Sequence, residues 1–551
     1  MPSPATHLRA PLLWLLLPLM AGLTAAKLWP APACGLWPFA VVAGGLCVAA
    51  GWFALSPARR GGLAWGLCLL PAVGLGGFLL LHVRQPQLHD SVDRPPREIT
   101  VSLEVGQIFP ATPTARSVTG LGRIVATGEP DRELLGHRVY FSAVRRISLP
   151  PLRSGRYTVR GVIEALPAGP SEAAGFNDYL ANLGIRQKLT RAQIVREERP
   201  PGWFPRFCSH AEDRLETILR RGLENHPPTL SLYLGMMLGE KAVLTPEQQN
   251  AFMRSGTYHI FSISGLHVGV IAVALLGLMG LLRVPRRPAA VACLALLWLY
   301  VQITGASSPA ERALMMIAFL LASRVFRLPG NGLAALTGAA LVTLLLDPLQ
   351  LFSTGFQMSY TVVVSLIIMG VPLGEKWLAA WHPYAVLPKV SWRWYHYAIN
   401  WTGRWLVGSA AACWVAFLAS APAGIGYFGV LSPGSLLANL AVIPVSSLAL
   451  IAGFLSLLTG LAGLWPLSVL FNSAAAVTLI VMDWLVLHGT ELPGMYFTAS
   501  FSRAWMAPAA VVLMTAVMFA GLSVRWSRRY GGYWPPVLTL VLIVVLGVKF
   551  G

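Results

Sequence analysis

Apolar runs separated by short polar or basic turns fill most of this chain. They lie at 12–26, 33–55 and 62–83. After a long interval they resume at 289–303, 310–322, 332–346, 356–371, 406–423, 436–458, 466–487, 504–524 and 536–548. Runs approaching the roughly 20 residues needed to cross hydrocarbon predict membrane-spanning helices. One more, 252–283, is apolar only in its second half. Between 84 and 201 the period changes to two, as in Ile99-Thr100-Val101-Ser102-Leu103, Arg138-Val139-Tyr140-Phe141-Ser142 and Arg156-Tyr157-Thr158-Val159-Arg160. Short alternating strands punctuated by Gly and Pro predict a small barrel or sandwich. From Trp203 to His226 the period is helical. Leu215, Ile218, Leu219 and Leu223 form one stripe with Arg214, Arg220 and Arg221 around it, which predicts an interfacial amphipathic helix. Thr245 followed by Pro246 reads as a helix start. Thr24-Ala25-Ala26 fits a signal-peptidase site, but the apolar runs that follow at once favour an uncleaved span.

The pattern divides the chain into N-terminal transmembrane helices (1–83), a β domain (84–201), amphipathic or interfacial helices (202–258) and a polytopic region (259–551). Composition agrees. The chain is 55% hydrophobic and only 12% charged, with mean hydropathy +0.61, against about 25% charged residues in soluble domains. The expected fold class is a polytopic α-helical integral membrane protein with an inserted small all-β soluble domain. The net charge of +19 is largely topological, because Lys and Arg collect on the cytoplasmic side. Arg9, Arg59–Arg60, Arg283–Arg287, Arg324–Arg327 and Arg525–Arg529 all fall on one side when the spans are counted singly. The β domain then falls on the other, extracytoplasmic side. Arg138, Arg145, Arg146 and Arg156, with Tyr140 among them, give that domain the composition of an oligonucleotide-binding (OB-like) barrel. It is equally the composition of any basic surface domain.

Candidate chemistry concentrates in the unusual run. Its first half carries Gly256-Thr257-Tyr258-His259 and Ser262-Ile263-Ser264-Gly265-Leu266-His267. Polar groups at a membrane boundary mark a wet path or a packed polar interior, since hydrocarbon leaves them unsatisfied. The plain alternative is a helix cap at Ser264, with His267 bonding locally. Glu311 and Arg312, adjacent on a helix near a span end, cannot face one another and need other partners or water. No CxxC, His-x-His or HExxH occurs, so no metal centre or cofactor is expected, and no P-loop supplies nucleotide energy. Oligomeric state stays open.

Several blocks in order resemble the ComEC family of competence proteins. These are GFNDYLANLGI, LGEKAVLTPEQQNAF with SGTYHIFSISGLHVGVI, SSPAERALMMIAFLLASRVFR, DPLQLFSTGFQMSY and YFGVLSPGSLLANLAVIP. His259, Ser264, Gly265 and His267 fall within the family signature. The resemblance implies an inner-membrane channel that takes single-stranded DNA into the cytoplasm during natural transformation. It makes 259–551 the channel domain. Its implied partners are single-stranded DNA, membrane lipid, an extracytoplasmic DNA receptor, and cytoplasmic translocation or ssDNA-binding proteins. Many family members continue into a metallo-β-lactamase-like domain; this sequence stops at Gly551, so it is expected to be a short form, not itself an enzyme, that relies on a separate nuclease. On this reading the DNA path draws on His259, Ser262, Ser264, Gly265, His267, Glu311, Arg312, Gln357 and Asn439, with helix breaks at Gly265, Pro309, Gly355 and Ser432-Pro433-Gly434. Two rival classes are an intramembrane serine protease, since Ser262-Ile263-Ser264-Gly265 resembles the rhomboid elbow, and a small-solute transporter.

Overall fold

A computed structural model describes residues 10–29, 35–55, 62–84, 95–109, 117–144, 153–166, 176–239, 244–261, 263–327, 330–503, 505–524, 526 and 532–550. Arg145, Arg146 and Ser262 lie outside the described residues. In chain order the elements are α1 (Leu13–Leu28), α2 (Trp37–Leu55), α3 (Leu63–Arg84), β1 (Arg97–Ile108), β2 (Ser117–Thr127), β3 (Arg138–Val144), β4 (Arg156–Ala165), α4 (Phe176–Asn182), β5 (Gln187–Arg199), α5 (Trp203–Arg220), α6 (Pro227–Met237), α7 (Pro246–Arg254), α8 (Gly265–Leu281), α9 (Arg286–Ile303), α10 (Ser308–Val325) and α11 (Gly332–Leu346). There follow α12 (Thr354–Ser365), α13 (Val371–Ala380), α14 (Trp394–Ala423), β6 (Val430–Leu431), α15 (Ser435–Leu461), α16 (Trp465–Glu491), β7 (Phe497–Phe501), α17 (Met506–Ser523), α18 (Pro535–Gly547) and β8 (Val548–Phe550). Among the described residues seven helices are long and apolar enough to cross a membrane: α2, α3, the continuous Thr354–Ala380, Trp394–Phe428, α15, α16 and α17. The apolar helices α1, α8, α11 and α18 are shorter. Two features escaped the hydropathy pattern. Single π turns join α12 to α13 (Leu366–Gly370) and extend α14 (Gly424–Phe428).

The chain forms two units, each described by itself. The first holds Met1–Gly169, Gly175–Cys208 and Leu314–Gln357. Its five strands close into a barrel in the order β1-β2-β3-β5-β4, with β3 and β5 parallel and the other pairs antiparallel. This is the OB-like order. The alternation seen in sequence fills the barrel: Val101, Leu103, Val139, Phe141, Tyr157, Val159 and Leu189 are buried. Strands β2 and β5, which the pattern had not singled out, complete it. Helix α4 lies on the barrel through Leu180, Leu183 and Ile185 with Leu121. The barrel also meets the end of α1, where Lys27 Nζ donates to Asn182 Oδ1 (2.8 Å) and sits over the Phe352 ring (4.1 Å).

The second unit holds Pro170–Ala174, Ser209–Ala313 and Met358–Gly551. Strands β6, β7 and β8 form one small sheet at the end from which α15 and α17 depart and to which α14, α16 and α18 return. The turn 462–464, between α15 and α16, therefore lies at the opposite end. There the amphipathic α5 finds its partner. The helix stops at Arg220 rather than His226, because Gly222 reverses the chain with φ +80°. Asn472 of α16 donates through Nδ2 to the carbonyls of Ile218 (2.8 Å) and Arg221 (3.0 Å) and accepts from Tyr233 OH of α6 (3.0 Å). Asn472 is wholly buried, and it supplies donors to carbonyls at the α5 C-terminus, where the intrahelical ladder runs out. Arg221 lies 3.7 Å over the Trp465 ring. Helix α6 is buried from Thr229 to Met237 and then leads back towards the sheet end, where Gln248 of α7 meets Asp483 of α16 at 3.3 Å. The stripe read as interfacial is thus, at its C-terminal half, a protein–protein seam within this unit. The helix start at Thr245 is present as a capping box: Gln248 N–H donates to Thr245 Oγ1 (3.2 Å) and Thr245 N–H to Gln248 Oε1 (3.3 Å).

Candidate functional site

The polar half of the 252–283 run sits at the sheet end of the second unit. Helix α7 delivers it, and Phe252, Ile260 and Phe261 pin it into the core, with Phe252 and Phe261 edge to face at 4.6 Å. Between these anchors Gly256 takes φ +73°, and a β-carbon there would come within 2.9 Å of Ser435. Glycine is required on both counts. Ser432 Oγ donates to Arg254 O (2.7 Å), tying the Ser432-Pro433-Gly434 turn to the same segment. Ser255 and Thr257 are buried with their hydroxyls 2.6 Å apart.

The chain then enters α8, and Ser264 is its N-cap. Ser264 N–H donates to His267 Nδ1 (3.2 Å), and Ser264 Oγ lies 2.8 Å from the same nitrogen. A backbone N–H can only donate, so Nδ1 must accept. In the neutral ring the proton then sits on Nε2. His267 is completely buried, and its Nε2 has no hydrogen-bond partner among the described residues. The cap and the polar-path readings of this pair are therefore compatible: one ring nitrogen closes the helix, and the other is a buried donor without a partner among the described residues.

The remaining candidates divide. His259 is exposed and its Nδ1 lies 3.3 Å from Gly256 O. Arg312 is buried in the first turns of α10 and donates to Ser308 Oγ (2.6 Å), while Glu311 is exposed. Asn439, in the first turns of α15, has a buried Oδ1 with no partner among the described residues. Gln357 belongs to the first unit, where it donates to Leu351 O (3.2 Å) and closes a local turn. A β-carbon at Gly265 would meet only Ala313 Cβ at 3.8 Å, an ordinary contact, so no close backbone approach demands glycine. That contact places the start of α8 beside the first turns of α10, and Gly256, nine residues earlier, touches Ser435 at the start of α15. The segment 256–265 is thus flanked by three helix N-termini, each the positive end of a helix dipole. Among the described residues no three His, Cys, Asp or Glu side chains gather as metal ligands.

A second candidate surface lies on the barrel. Tyr140 joins Phe109, Phe176 and Tyr179 in an aromatic group, with centroids 5.2–6.3 Å apart along the chain of contacts. Lys188 Nζ is 6.0 Å from the Tyr140 ring, and Arg138 acts electrostatically on Tyr179. Phe109 ends β1, and Phe176 and Tyr179 lie in the β4–β5 connection. These are the loop positions by which such barrels meet oligonucleotides. The sequence reading named only Tyr140 and Arg138 of this group; the GFNDYLANLGI block contained Phe176 and Tyr179, but only closure of the barrel brings them to Tyr140. Arg156 faces Glu104 at 4.0 Å. Arg160 donates to Glu98 and holds that carboxyl below its usual range, and Ser102 and Thr158 do the same for Glu198.

A family model described as Competence protein matches residues 236–528, from the end of α6 past α17, and so includes the whole α8 site and excludes the barrel. The chain is 32% identical to ComE operon protein 3 of Bacillus subtilis over 199 residues, 36% of this chain and 25% of that protein. It is 30% identical to Competence protein ComA of Neisseria gonorrhoeae over 148 residues, 25% of this chain and 21% of that protein. The matches thus span a quarter or less of those relatives' lengths. No solved structure matches.

Proposed function

We propose, from the premise that this chain belongs to the family of competence proteins and is a multi-pass membrane protein, that it carries single-stranded DNA across the inner membrane during transformation. One observation carries the reading: the buried Nε2–H of His267, without a partner among the described residues, directly follows the segment 256–265 that the N-termini of α8, α10 and α15 flank. Convergent helix N-termini with a buried donor favour an anion such as phosphate. Donors of this kind, with few exposed arginines, let a polyanion pass without holding it. The aromatic group on the barrel, flanked by Arg138 and Lys188, suits stacking of single-stranded bases.

The test is uptake of labelled DNA by a deletion strain. DNA should bind at the surface and fail to enter, and the full chain should restore entry. Complementation by Phe176→Ala with Tyr179→Ala should restore it only weakly, because each base stack contributes about 1–3 kcal/mol. Unimpaired entry in the deletion strain would sink the reading. The 2.8 Å contact between Ser264 Oγ and His267 Nδ1 also favours a Ser–His protease dyad. Against it, Nδ1 is already taken by the backbone N–H of the same serine. Peptide cleavage by the purified chain, lost in Ser264→Ala, is the outcome that would replace a channel with a protease.

Placement follows from charge. The barrel meets the end of α1 and the turn after α11, whereas Arg324 and Arg327 precede α11 at its other end. By the positive-inside rule the barrel is extracytoplasmic. A reporter fused at Gly161 should be active only outside. A cytoplasmic signal at Gly161 would invert the arrangement.

A further inference from the structure

Residues 381–393 join α13 to α14 at the end of the second unit opposite the sheet, and the connection is firmly built. Trp392 Nε1–H donates to Leu387 O (3.3 Å) and Tyr397 OH to Lys389 O (3.5 Å). Tyr384 packs edge-on against Trp392 and His396, with centroids at 5.6 and 4.7 Å. Trp381 folds back onto Gly403 of α14, where any β-carbon would overlap its ring. Yet the aliphatic side chains of this ordered connection point outward. Val386 is 97% exposed and Val390 98%. Trp394, Tyr397 and Trp401 follow, also exposed, on the first turns of α14. A fixed loop that presents valines and tryptophans to its surroundings marks an interaction surface.

Charge says what kind. No Asp or Glu occurs between Glu375 and Asp483, while Lys376, Lys389, Arg393 and Arg404 fall within 376–404 together with five tryptophans. Helix α14 with its π turn is 35 residues long, about 50 Å at 1.5 Å per residue, against a hydrocarbon core of about 30 Å. Its first turns must reach beyond the core into the headgroup zone. A recess of about 240 Å³ opens between α13 and α14, lined by Trp377, Ala380, Trp381 and Val407. The indole N–H of Trp381 is buried there without an acceptor among the described residues.

We propose that this connection binds anionic phospholipid. Val386 and Val390 seat in the boundary between acyl chains and headgroups, Lys389, Arg393 and Arg404 hold the phosphates, and the recess beside Trp381 takes a stretch of acyl chain. The aliphatic tip decides against nucleic acid. Bases stack on aromatic rings but gain nothing from exposed valines, whereas an interfacial surface needs both.

The test uses the full chain reconstituted in phosphatidylcholine nanodiscs with and without phosphatidylglycerol. Lipid retained on the protein is read by native mass spectrometry, and the thermal midpoint is read in parallel. Phosphatidylglycerol should be retained in preference and should raise the midpoint. The combined variant Lys389→Gln, Arg393→Gln, Arg404→Gln should lose that preference by roughly fivefold per cation at low salt. The variant Val386→Ser, Val390→Ser keeps every charge and should also retain less lipid, so the idea does not depend on one variant folding. Equal retention by wild type and both variants would overturn it. So would displacement of the lipid by a single-stranded oligonucleotide, which would make the surface a nucleic-acid site.

Discussion

Cells whose only copy carries His267→Ala should hold labelled DNA at their surface and pass almost none of it inside, with protein level and membrane insertion close to normal. The expectation rests on the division of labour within one ring. Nδ1 closes the start of α8 on Ser264, and Nε2–H is the buried donor without a partner among the described residues. Loss of the capping bond costs about 1 kcal/mol, too little to remove a many-helix protein from the membrane. Loss of a donor to a charged phosphate costs about 1.5–3 kcal/mol, or roughly ten- to a hundredfold in passage. His267→Gln separates the two effects. Glutamine at this position reproduces the reciprocal cap but not the ring donor, so it should restore stability and leave uptake low. Full uptake in His267→Gln would show that the histidine serves the helix alone. Loss of the protein in both variants would make it structural.

The second large effect concerns stability. Asn472→Leu should lower the thermal midpoint of the purified protein by several degrees and open the turn 221–228 to protease. The substitution removes the side-chain donors to the carbonyls of Ile218 and Arg221, leaving Ile218 O only the long bond from Arg221 N–H (3.4 Å), and removes the acceptor of the Tyr233 hydroxyl. Each buried group left unpaired costs about 1–3 kcal/mol. Bonds between membrane helices average nearer 0.6 kcal/mol, so a total of about 2–5 kcal/mol is reasonable. Asn472→Asp keeps the acceptor for Tyr233 and loses the two donors, and should fall between. A midpoint unchanged in Asn472→Leu would mean that α5 and α6 are held by apolar packing alone.

Much of this architecture can be read from periodicity, and the losses have definite causes. Strands β1, β3 and β4 announce themselves by alternation. Gly120 and Gly122 interrupt the pattern of β2, and β5 carries Arg191, Arg196 and Arg199 among its apolar positions. The β3–β5 pairing, which closes the barrel, joins residues such as Tyr140 and Lys188, far apart in the chain, that no local pattern links. The stripe on α5 was legible as a stripe. Whether it faces lipid or protein depends on Asn472 and Trp465, far along the chain, and the moment of a helix says nothing of its partner. Ser264 and His267 were legible both as a cap and as polar residues at a boundary. The solitary Nε2 was not, because it reflects what packs opposite the ring. Gly265 was legible as a break, and it is the first residue of α8.

The seam at Asn472 also fixes a sequence of events at the ribosome. Ile218 waits for a residue 254 positions later, which at about 5–20 residues per second means roughly 13–50 s of synthesis. Throughout that interval α6, an 11-residue apolar helix, is too short to be retained as a span of about 20 residues and lacks α16, although Tyr300 of α9 can already hold its Met237 carbonyl. The nascent chain must therefore leave a gap in its membrane order and fill it late, when α16 arrives, and any factor that shelters short apolar segments beside the translocon should be rate-determining for the yield of this protein.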